Sequence, residues 1–299
     1  MLHARLTSSE KRRSLRSALA SGELLRFPGS FSPLVSLLIE RIGFEGIYVS
    51  GAVLSADLGL PDVGLTTLSE VSRRGHEIAR VSNLPAIVDV DTGFGEPLNV
   101  ARTIQVLEDL GLAGCHLEDQ RNPKRCGHLD HKQIVPVEEM TRKIRAAADA
   151  RRDPDFLLIA RTDAAAMEGI DAAIERGHRY IEAGADALFP EALRDRREFE
   201  RYREAVDVPL IANMTEFGKS ELLPVSTLRE LEYNIVLYPV SALRLAMFAV
   251  ESGLRRIADE GTQVGLIGAM QTRRDLYALL DYEAYTAFDR DLFDFSTPE

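Results

Sequence analysis

One pattern recurs eight times along the chain and limits the folds that it can adopt. Short apolar runs rich in β-branched residues alternate with longer segments whose apolar residues recur every three or four positions, as in an amphipathic helix. The runs are Leu24–Pro28, Gly46–Ser50, Pro85–Asp91, Gly114–Asp119, Phe156–Arg161, Ala187–Glu191, Val208–Asn213 and Asn234–Pro239. The clearest helical segments between them are Leu98–Leu110, Val137–Ala150, Gly169–Ala183 and Arg194–Ala205.

Strands that are apolar along their length and separated by helices predict a parallel sheet buried on both faces. Eight such units predict an α/β fold of the (β/α)₈ barrel type. A doubly wound open sheet is the alternative, but it usually carries a glycine fingerprint after its first strand. Gly93-Phe94-Gly95 follows the third strand and lacks the full spacing. No linker rich in Pro, Gly or Ser divides the chain, so we expect residues 1–299 to form a single barrel domain.

The N-terminal segment from Met1 to Ser21 is rich in Arg and Ser, a composition that also occurs in transit peptides. It contains Glu10, however, and Leu15 and Leu19 follow helical spacing, which favours a helix that caps the fold.

The C-terminal extension, residues 241–299, is too long for one closing helix. Its pattern predicts a helix over Leu243–Glu260, a glycine-rich break and a second helix over Thr272–Leu280. We expect these helices to pack on another subunit and to be exchanged between subunits.

The composition restricts the partners and the compartment. A net charge of −11 argues against nucleic acid, whose phosphates require a basic face. No apolar stretch approaches the roughly 20 residues that span a bilayer, so no membrane partner is expected. Two cysteines in 299 residues give no disulfide framework, which fits a reducing compartment. We therefore expect a soluble cytoplasmic protein.

Polar residues stand at the ends of the predicted strands, where a parallel barrel places its catalytic groups. In chain order they are Ser50, Asp89 and Asp91, Glu118, Arg161, Glu191, Asn213, and Tyr238 followed by Arg244. Because successive strand residues point to opposite faces, Asp89 and Asp91 share one face, as do His116 and Glu118. So many polar groups would be costly inside a core unless they are paired or bind a ligand.

Residues 124–128 read Lys-Arg-Cys-Gly-His and follow the strand that ends at Glu118. Lys124 and His128 bring cations near Cys126, and nearby cations lower the pKa of a thiol. The simpler interpretation is a solvated basic loop with an inert cysteine, which the surrounding strand-end residues disfavour. Because the loop contains Gly127, we expect it to close over bound substrate and exclude water.

Three of these carboxylates, Asp89, Asp91 and Glu118, form a candidate metal site. Ligation by oxygen alone favours Mg²⁺, with Mn²⁺ as an alternative, over zinc. His128 and His131 have a spacing that occurs in zinc sites, but no further ligand pattern accompanies them. Guanidinium groups and neutral donors complete the candidate site: Arg161, Arg244, Arg273, Asn213 and Thr215. Together with the thiol, this combination suits a small di- or tricarboxylic acid.

These residues lie in stretches that resemble the isocitrate lyase and phosphoenolpyruvate mutase superfamily, and within it the methylisocitrate lyases, over nearly the whole chain. The matching stretches are Ser50-Gly51, 58–62, 89–95, 118–120, 124–128, 160–163, 189–192, 212–218, 237–239 and 270–273. The Lys-Arg-Cys-Gly-His loop marks the lyases of the superfamily. After Ser50-Gly51 this chain departs from many members, because Ala52-Val53-Leu54 replaces a run of glycines.

The resemblance implies a carbon–carbon lyase that cleaves 2-methylisocitrate into pyruvate and succinate. The reaction would be an Mg²⁺-dependent retro-aldol (Claisen-type) cleavage in the methylcitrate cycle of propionate catabolism, carried out by a homotetramer. The catalytic candidates are Cys126 as proton donor, Lys124, His128, Arg161 and Glu118. The substrate-binding candidates are Ser50, Gly51, Ala52, Gly127, Arg161, Glu191, Asn213, Thr215, Arg244 and Arg273. Tyr48, Glu118 and metal-bound hydroxide remain alternatives for the base that deprotonates the substrate hydroxyl.

Several alternatives share parts of this site. A 2,3-dimethylmalate lyase or an isocitrate lyase would use the same metal and cysteine, whereas an oxaloacetate decarboxylase of the superfamily would not need the cysteine. A non-catalytic binding barrel would have lost a metal carboxylate or the thiol. Phe189, Leu237 and Pro239 are expected to accommodate the methyl group that distinguishes 2-methylisocitrate from isocitrate.

Overall fold

Eight parallel strands form the centre of the fold in a computed structural model that describes residues 4–128 and 131–294. Every predicted run contains one strand, and only β5 extends a residue beyond its run. The strands are β1 Leu25–Pro28, β2 Ile47–Val49, β3 Ala86–Asp89, β4 Gly114–Glu118, β5 Leu157–Thr162, β6 Ala187–Pro190, β7 Ile211–Asn213 and β8 Ile235–Tyr238.

The strands close on themselves. Strands β2 to β6 pair in chain order, and β1, β8 and β7 form a second set in which the first strand pairs with the last. Parallel bridges between Gly29 and Tyr48 and between Leu188 and Leu210 join the two sets. The sheet therefore has no open edge of the kind that a doubly wound fold would show, and the predicted (β/α)₈ barrel is confirmed.

Helices follow the strands and surround the barrel. They are α1 Ser8–Ala20, α2 Pro33–Ile42, α3 Gly51–Asp57, α4 Leu68–Ala79, α5 Pro97–Asp109, α6 Val137–Ala150, α7 Ile170–Glu182, α8 Arg196–Ala205, α9 Val225–Glu230, α10 Ser241–Glu260, α11 Arg273–Leu279 and α12 Tyr282–Phe293. Short 3₁₀ turns occupy Ala164–Ala166 and Val264–Ala269. No helix among the described residues is long and apolar enough to cross a membrane.

The two faces of each strand contribute to two different cores. Residues such as Val88 and Leu158 point outward and pack against the helices. Their neighbours Ile87, Leu157 and Ile159 point inward and fill the barrel. This alternation by two residues decides which strand-end side chains can meet inside the barrel mouth.

Helix α1 closes the amino end of the barrel, as its apolar spacing predicted. Thr7 and Glu10 form a capping box at its start. Leu15 and Leu19 are buried and belong to the same cluster as the inward-facing strand residues. The opposite, carboxyl end of the barrel is covered by loops instead of a helix.

The C-terminal extension contains three α-helices where the sequence pattern predicted two, because Tyr282–Phe293 forms α12. None of the residues of α10 or α12 is buried. Large apolar side chains of α10, including Leu245, Phe248 and Leu254, are more than 60% exposed. An amphipathic helix with so much exposed apolar surface is typical of a segment that packs against another chain.

Candidate active site

The strand ends bring five predicted site residues into the mouth of the barrel. Asp89, Glu118, Arg161, Glu191 and Asn213 lie within one residue of the carboxyl ends of β3 to β7. The first four are at most 7% exposed. Asp89, Arg161, Glu191 and Asn213 each lie two residues from an inward-facing apolar position, and Glu118 alternates with the outward-facing Cys115 and Leu117, so all five point into the barrel.

Four of these residues, all but Glu118, line a small cavity of about 50 Å³. It is lined by Tyr48, Ser50, Ala52, Asp62, Asp89, Lys124, Cys126, Gly127, His128, Arg161, Glu191, Asn213, Thr215, Pro239 and Val240. A cavity of this size holds a few water molecules and is too small for a tricarboxylic acid. The pocket in this structure is therefore smaller than a bound substrate requires, and the groups that line it must shift to admit one.

The loop of residues 124–128 covers the cavity. A side chain at Gly127 would overlap Arg161 and Glu191, since its Cβ would lie within 2.5 Å of Arg161 Nη2 and of Glu191 Cγ. Glycine is therefore required for the loop to approach so closely. On its other side, His128 Nδ1 accepts a hydrogen bond of 2.9 Å from the backbone N–H of Lys219, in the loop after β7. Two loops thus meet over the barrel mouth.

Arg161 and Glu191 form the centre of a charged cluster. Arg161 Nη1 lies 3.3 Å from Glu191 Oε2, and Arg161 Nε lies 3.3 Å from Glu118 Oε2. His128 Nε2 lies 2.8 Å from Glu191 Oε1, and Asn213 Nδ2 donates to both oxygens of Glu191. Burial opposes ionisation of Glu191, but Arg161 and then His128 outweigh it and lower the pKa of this carboxyl group. Glu191 is therefore an ionised anchor between the two loops.

His128 holds its proton on one defined nitrogen. Its Nδ1 accepts the Lys219 N–H, so the proton of the neutral ring lies on Nε2, which faces Glu191. The ring is thus oriented with its N–H toward the cavity side of the cluster.

Lys124 lies among carboxylates on the opposite side of the cavity. Its ammonium group is hydrogen-bonded to Asp62 and lies 2.8 Å from Asp91 Oδ1. Burial would lower the pKa of Lys124, but Glu118, Asp89, Asp91 and Asp62 outweigh burial and raise it. The lysine is therefore a fixed positive charge beside the candidate metal ligands.

The three predicted metal carboxylates are buried, and their hydrogen bonding is incomplete. Neither oxygen of Glu118 nor Oδ1 of Asp91 accepts a hydrogen bond of good geometry, although ion pairs with Arg161 and Lys124 reach Glu118 Oε2 and Asp91 Oδ1. Asp89 is better satisfied, since it accepts the N–H groups of Gly51 and Asp91 at 3.2 and 2.9 Å. Buried carboxylate oxygens whose hydrogen bonding is incomplete are costly, and a hard cation with its water ligands would satisfy them. The donor set therefore fits Mg²⁺.

The carboxylates do not by themselves form a complete ligand set. Within residues 4–128 and 131–294, no three Asp, Glu, His or Cys side chains converge closely enough to hold an ion. Burial, followed by repulsion from Asp89, raises the pKa of Asp91 to about 6, and burial raises that of Glu118 well above its usual range. Asp89 is different, because His116, Lys124 and Arg161 outweigh its burial and lower its pKa. The three carboxyl groups therefore differ in how easily they ionise, and water would complete any coordination shell.

An aromatic layer lies directly beneath the charged cluster. The hydroxyl of Tyr48 is 2.8 Å from His116 Nε2, and Phe189 packs against the His116 ring and beneath the Arg161 guanidinium. Burial lowers the pKa of His116 to about 4 and raises that of Tyr48 well above 10. Both groups are therefore neutral, and Tyr48, one of the candidate bases, retains its proton.

The prediction that the Cys126 thiol has a lowered pKa is wrong. Burial raises its pKa, and Glu191 and Asp62 add to that effect. The neighbouring cations act elsewhere: Lys124 is paired with Asp62 and Asp91, and Arg161 with Glu191. Cys126 therefore keeps its proton at neutral pH. The second cysteine, Cys115, is fully buried on the outward face of β4.

Some predicted residues lie outside the cavity. Arg244 donates to the backbone oxygen and the carboxylate of Glu216 at 2.7 and 2.6 Å and is partly exposed. Arg273 begins α11 and is exposed. Of the three residues expected to accommodate a methyl group, only Pro239 lines the cavity, because Phe189 and Leu237 belong to the packed interior beneath it.

Sequence reasoning did not identify three charged residues of the site, Asp62, Lys132 and Asp163. Asp163 lies two residues after Arg161 on the same face, and its carboxylate Oδ2 accepts from Arg161 Nε at 3.0 Å. The alternation of inward and outward side chains along a strand could have predicted that Asp163 faces the site. Asp62 lies in the matching stretch 58–62 but was not assigned a role there, and no pattern in the sequence pointed to Lys132; each reaches the site from an irregular loop.

Comparison with known proteins identifies the family. The family described as phosphoenolpyruvate phosphomutase matches residues 15–258. A relative from Corynebacterium glutamicum named "Probable 2-methylisocitrate lyase 2" is 57% identical over 96% of this chain and 94% of its own length. The 2-methylisocitrate lyase of Escherichia coli is 45% identical over 91% and 93% of the two chains.

Solved structures agree with this assignment. A 2,3-dimethylmalate lyase, a member of the PEP mutase/isocitrate lyase superfamily, has a TM-score of 0.88 at 29% identity and covers 98% of this chain and 99% of its own. A phosphonopyruvate hydrolase solved with oxalate and Mg²⁺ has a TM-score of 0.86 at 32% identity, with coverage of 95% and 99%. From the closed barrel, the loop over its mouth and these matches, we conclude that the chain belongs to the phosphoenolpyruvate phosphomutase family, within the PEP mutase/isocitrate lyase superfamily.

Proposed function

We propose that the protein is a carbon–carbon lyase that cleaves 2-methylisocitrate into pyruvate and succinate. The observation that carries the proposal is the placement of a protonated thiol, Cys126, in the same closed cavity as Asp89, Arg161 and Glu191. Relatives with up to 57% identity are named 2-methylisocitrate lyases, and the similarity extends over nearly the full chain. The reaction needs a group that receives carboxylates and a group that supplies one proton, and the cavity offers both.

Arg161 and Asn213 bind and orient the substrate carboxylates. Arg161, on β5, has a forked set of N–H donors suited to a carboxylate, and Asn213, on β7, adds a neutral donor. Glu191 holds both groups in place, and His128 presents its Nε2–H to the same region. Closure of the loop after β4 excludes water, which strengthens each of these charged contacts. Ser50, Gly51, Ala52 and Thr215 line or border the remaining wall.

The thiol of Cys126 carries the proton of the final step. The hydroxyl of the substrate loses its proton, the adjacent carbon–carbon bond breaks, and its electron pair passes to the carbon that becomes part of succinate. The S–H of Cys126 then donates its proton to that carbon. Because burial keeps the thiol protonated, it is prepared as an acid in the cleavage direction.

Asp89, Asp91 and Glu118 would hold Mg²⁺ together with water, and the incomplete hydrogen bonding of Asp91 and Glu118 supports this assignment. When bound, Mg²⁺ supplies Lewis-acid polarisation of the substrate's hydroxyl and adjacent carboxylate. Lys124 stays protonated beside Asp91 and limits repulsion among the carboxylates. The related phosphonopyruvate hydrolase was solved with Mg²⁺, which supports the choice of metal.

The exposed apolar faces of α10 and α12 support an assembly, for which the superfamily resemblance implies a homotetramer with exchanged C-terminal helices. Arg244 and Arg273, which lie outside the cavity of the single chain, remain substrate-binding candidates in that assembly. Both cysteines are free thiols, in keeping with a reducing cytoplasm. Sedimentation of the full chain at micromolar concentration tests the assembly, and a monomer would contradict it.

An assay of the full chain with Mg²⁺ against 2-methylisocitrate, isocitrate and 2,3-dimethylmalate tests the function. We expect 2-methylisocitrate to be preferred over isocitrate by about 10–200-fold, the usual effect of one methyl group in an apolar pocket. Excess EDTA should abolish cleavage, and added Mg²⁺ should restore it. If the protein cleaves 2,3-dimethylmalate as well as or better than 2-methylisocitrate, we would conclude that it is a 2,3-dimethylmalate lyase, like the similar solved structure. Absence of cleavage with all three acids would refute the proposal.

A further inference from the structure

Lys132 is a buried lysine that the proposed chemistry does not use. It follows the thiol loop, and its side chain is only 2% exposed. Its ammonium group donates to the backbone carbonyl of Gly127 and lies 2.7 Å from Asp163 Oδ1. A buried ammonium group is costly unless it is paired and hydrogen-bonded, so both contacts are needed where it stands.

Its partner Asp163 is fixed in the barrel. Asp163 is fully buried, and its backbone N–H donates to Asp119 Oδ1 at 2.8 Å. Asp119 is held in turn by the hydroxyl groups of Thr162 and Tyr180 at 2.7 and 2.9 Å. The Asp163 carboxylate is therefore a rigid part of the β5 end and moves little when the loop moves.

The same carboxylate also orients Arg161. Arg161 Nε and Nη2 donate to Asp163 at 3.0 and 3.3 Å, so that Asp163 is shared between the guanidinium of Arg161 and the ammonium of Lys132. Lys132 neutralises part of the negative charge that would otherwise hold Arg161. The remaining donor, Nη1, faces Glu191, which borders the cavity.

We propose that Lys132 is a positioning residue that joins the thiol loop to the arginine clamp. Through Gly127 it holds Cys126 over the cavity, and through Asp163 it acts on the orientation of Arg161. Closure of the thiol loop and alignment of the Arg161 guanidinium are therefore coupled through Lys132. The effect on turnover rests on the proposed lyase function, whereas the effect on loop closure does not.

The test compares Lys132→Met, which keeps the length of the side chain but removes its charge, with Lys132→Arg. The matched control is Lys11→Met, because Lys11 is also buried and donates to a backbone carbonyl, that of Ala79 at 2.8 Å, at the opposite end of the barrel. The first readout is the rate at which N-ethylmaleimide alkylates Cys126 in the free protein, followed by mass spectrometry of its peptide.

We expect alkylation of Cys126 to become about tenfold faster in Lys132→Met, the effect of losing one hydrogen bond from a charged donor. Lys132→Arg should restore much of the protection, and Lys11→Met should behave as wild type. In cleavage assays, kcat should fall about tenfold while KM changes less, since alignment and not initial binding is impaired. If Lys132→Met does not fold, Lys132→Gln is measured, with an alkylation increase of about threefold expected from its remaining donor.

Wild-type alkylation rates in folded Lys132→Met, or in Lys132→Gln, would overturn the proposal. The same holds if Lys11→Met accelerates alkylation as much as Lys132→Met does, because the effect would then be general loosening of the barrel. A separate result would refute the lyase function alone: the wild-type protein would cleave none of the three acids, while the differences in alkylation rate between the variants would persist.

Discussion

Both ends of the barrel bury charged side chains, but the hydrogen bonding of these side chains differs between the two ends. At the amino end, Arg12 donates to the backbone oxygens of Leu112 and Glu108 at 2.8 and 2.7 Å and pairs with Asp153 at 2.8 Å. At the carboxyl end, neither buried oxygen of Glu118 accepts a hydrogen bond, and its ion pair with Arg161 is 3.3 Å long. The first arrangement is complete without a ligand, and the second is not. A buried charge whose hydrogen bonding is incomplete is therefore a sign of a binding site.

Replacing the central arginine at each end gives the largest expected difference. Arg161→Met should lower kcat/KM by about 1,000-fold or more, because the carboxylate clamp and the partner of Glu191 are both lost. Arg12→Met should leave kcat within about twofold but destabilise the fold by about 3 kcal/mol, since the buried carbonyls of Leu112 and Glu108 lose their Arg12 donors and the ion pair with Asp153 is lost. Steady-state kinetics and urea unfolding measure the two effects. An Arg12→Met enzyme as inactive as Arg161→Met would break the comparison.

The two cysteines provide the next test. Cys126→Ser replaces the thiol with a far weaker acid, so cleavage should fall by about 100-fold or more. Cys115→Ala should keep its activity and cost about 1 kcal/mol of unfolding free energy, because one buried atom is removed from the packing between β4 and the helices. Substrate binding by Cys126→Ser, followed by calorimetry, is expected to persist. Similar losses of activity in the two variants would assign Cys126 a structural role.

The pH dependence of alkylation sharpens the contrast between a protonated and an activated thiol. Because burial raises the pKa of Cys126, its thiolate is scarce at neutral pH, and alkylation should accelerate about tenfold per pH unit through the neutral range. The midpoint should lie above that of an unperturbed thiol, about 8.5. The same residue in urea-unfolded protein is the control. A midpoint well below the control would restore the original expectation of a thiolate activated by cations.

The smallest expected effect is stabilisation by the metal. At ten times its dissociation constant, Mg²⁺ should stabilise the wild-type fold by about 1.4 kcal/mol, which corresponds to about 2–4 °C in Tm. Asp89→Asn should abolish the Mg²⁺-induced shift in Tm. Arg12→Met should show the same shift, although its Tm without Mg²⁺ is lower than that of the wild type. Scanning calorimetry with and without EDTA measures both. An undiminished shift in Asp89→Asn would place the bound ion outside the carboxylate site.

Much of the site could be predicted because strand alternation and barrel closure act together. Once eight strands are assigned, the inward face of each is fixed, and Asp89, Glu118, Arg161 and Glu191 must meet at one end. The fold itself was predicted for the same reason, since a continuous apolar strand is stable only when both of its faces are covered. The third C-terminal helix was not predicted, because its apolar residues are exposed in the single chain and give a weak pattern.

The sequence by itself determined the barrel, the set of strand-end residues and the presence of a thiol in a loop beside them. Only the tertiary structure decided the state of that thiol, because burial raises its pKa and Lys124, a cation close to it in sequence, is paired with Asp62 and Asp91 in space. It also decided that Lys132 reaches Asp163 and that Phe189 and Leu237 lie beneath the cavity. Local sequence sets which groups are present and which way a strand residue points. Burial and pairing, which set the pKa of a group and the position of a loop, depend on residues distant in the chain.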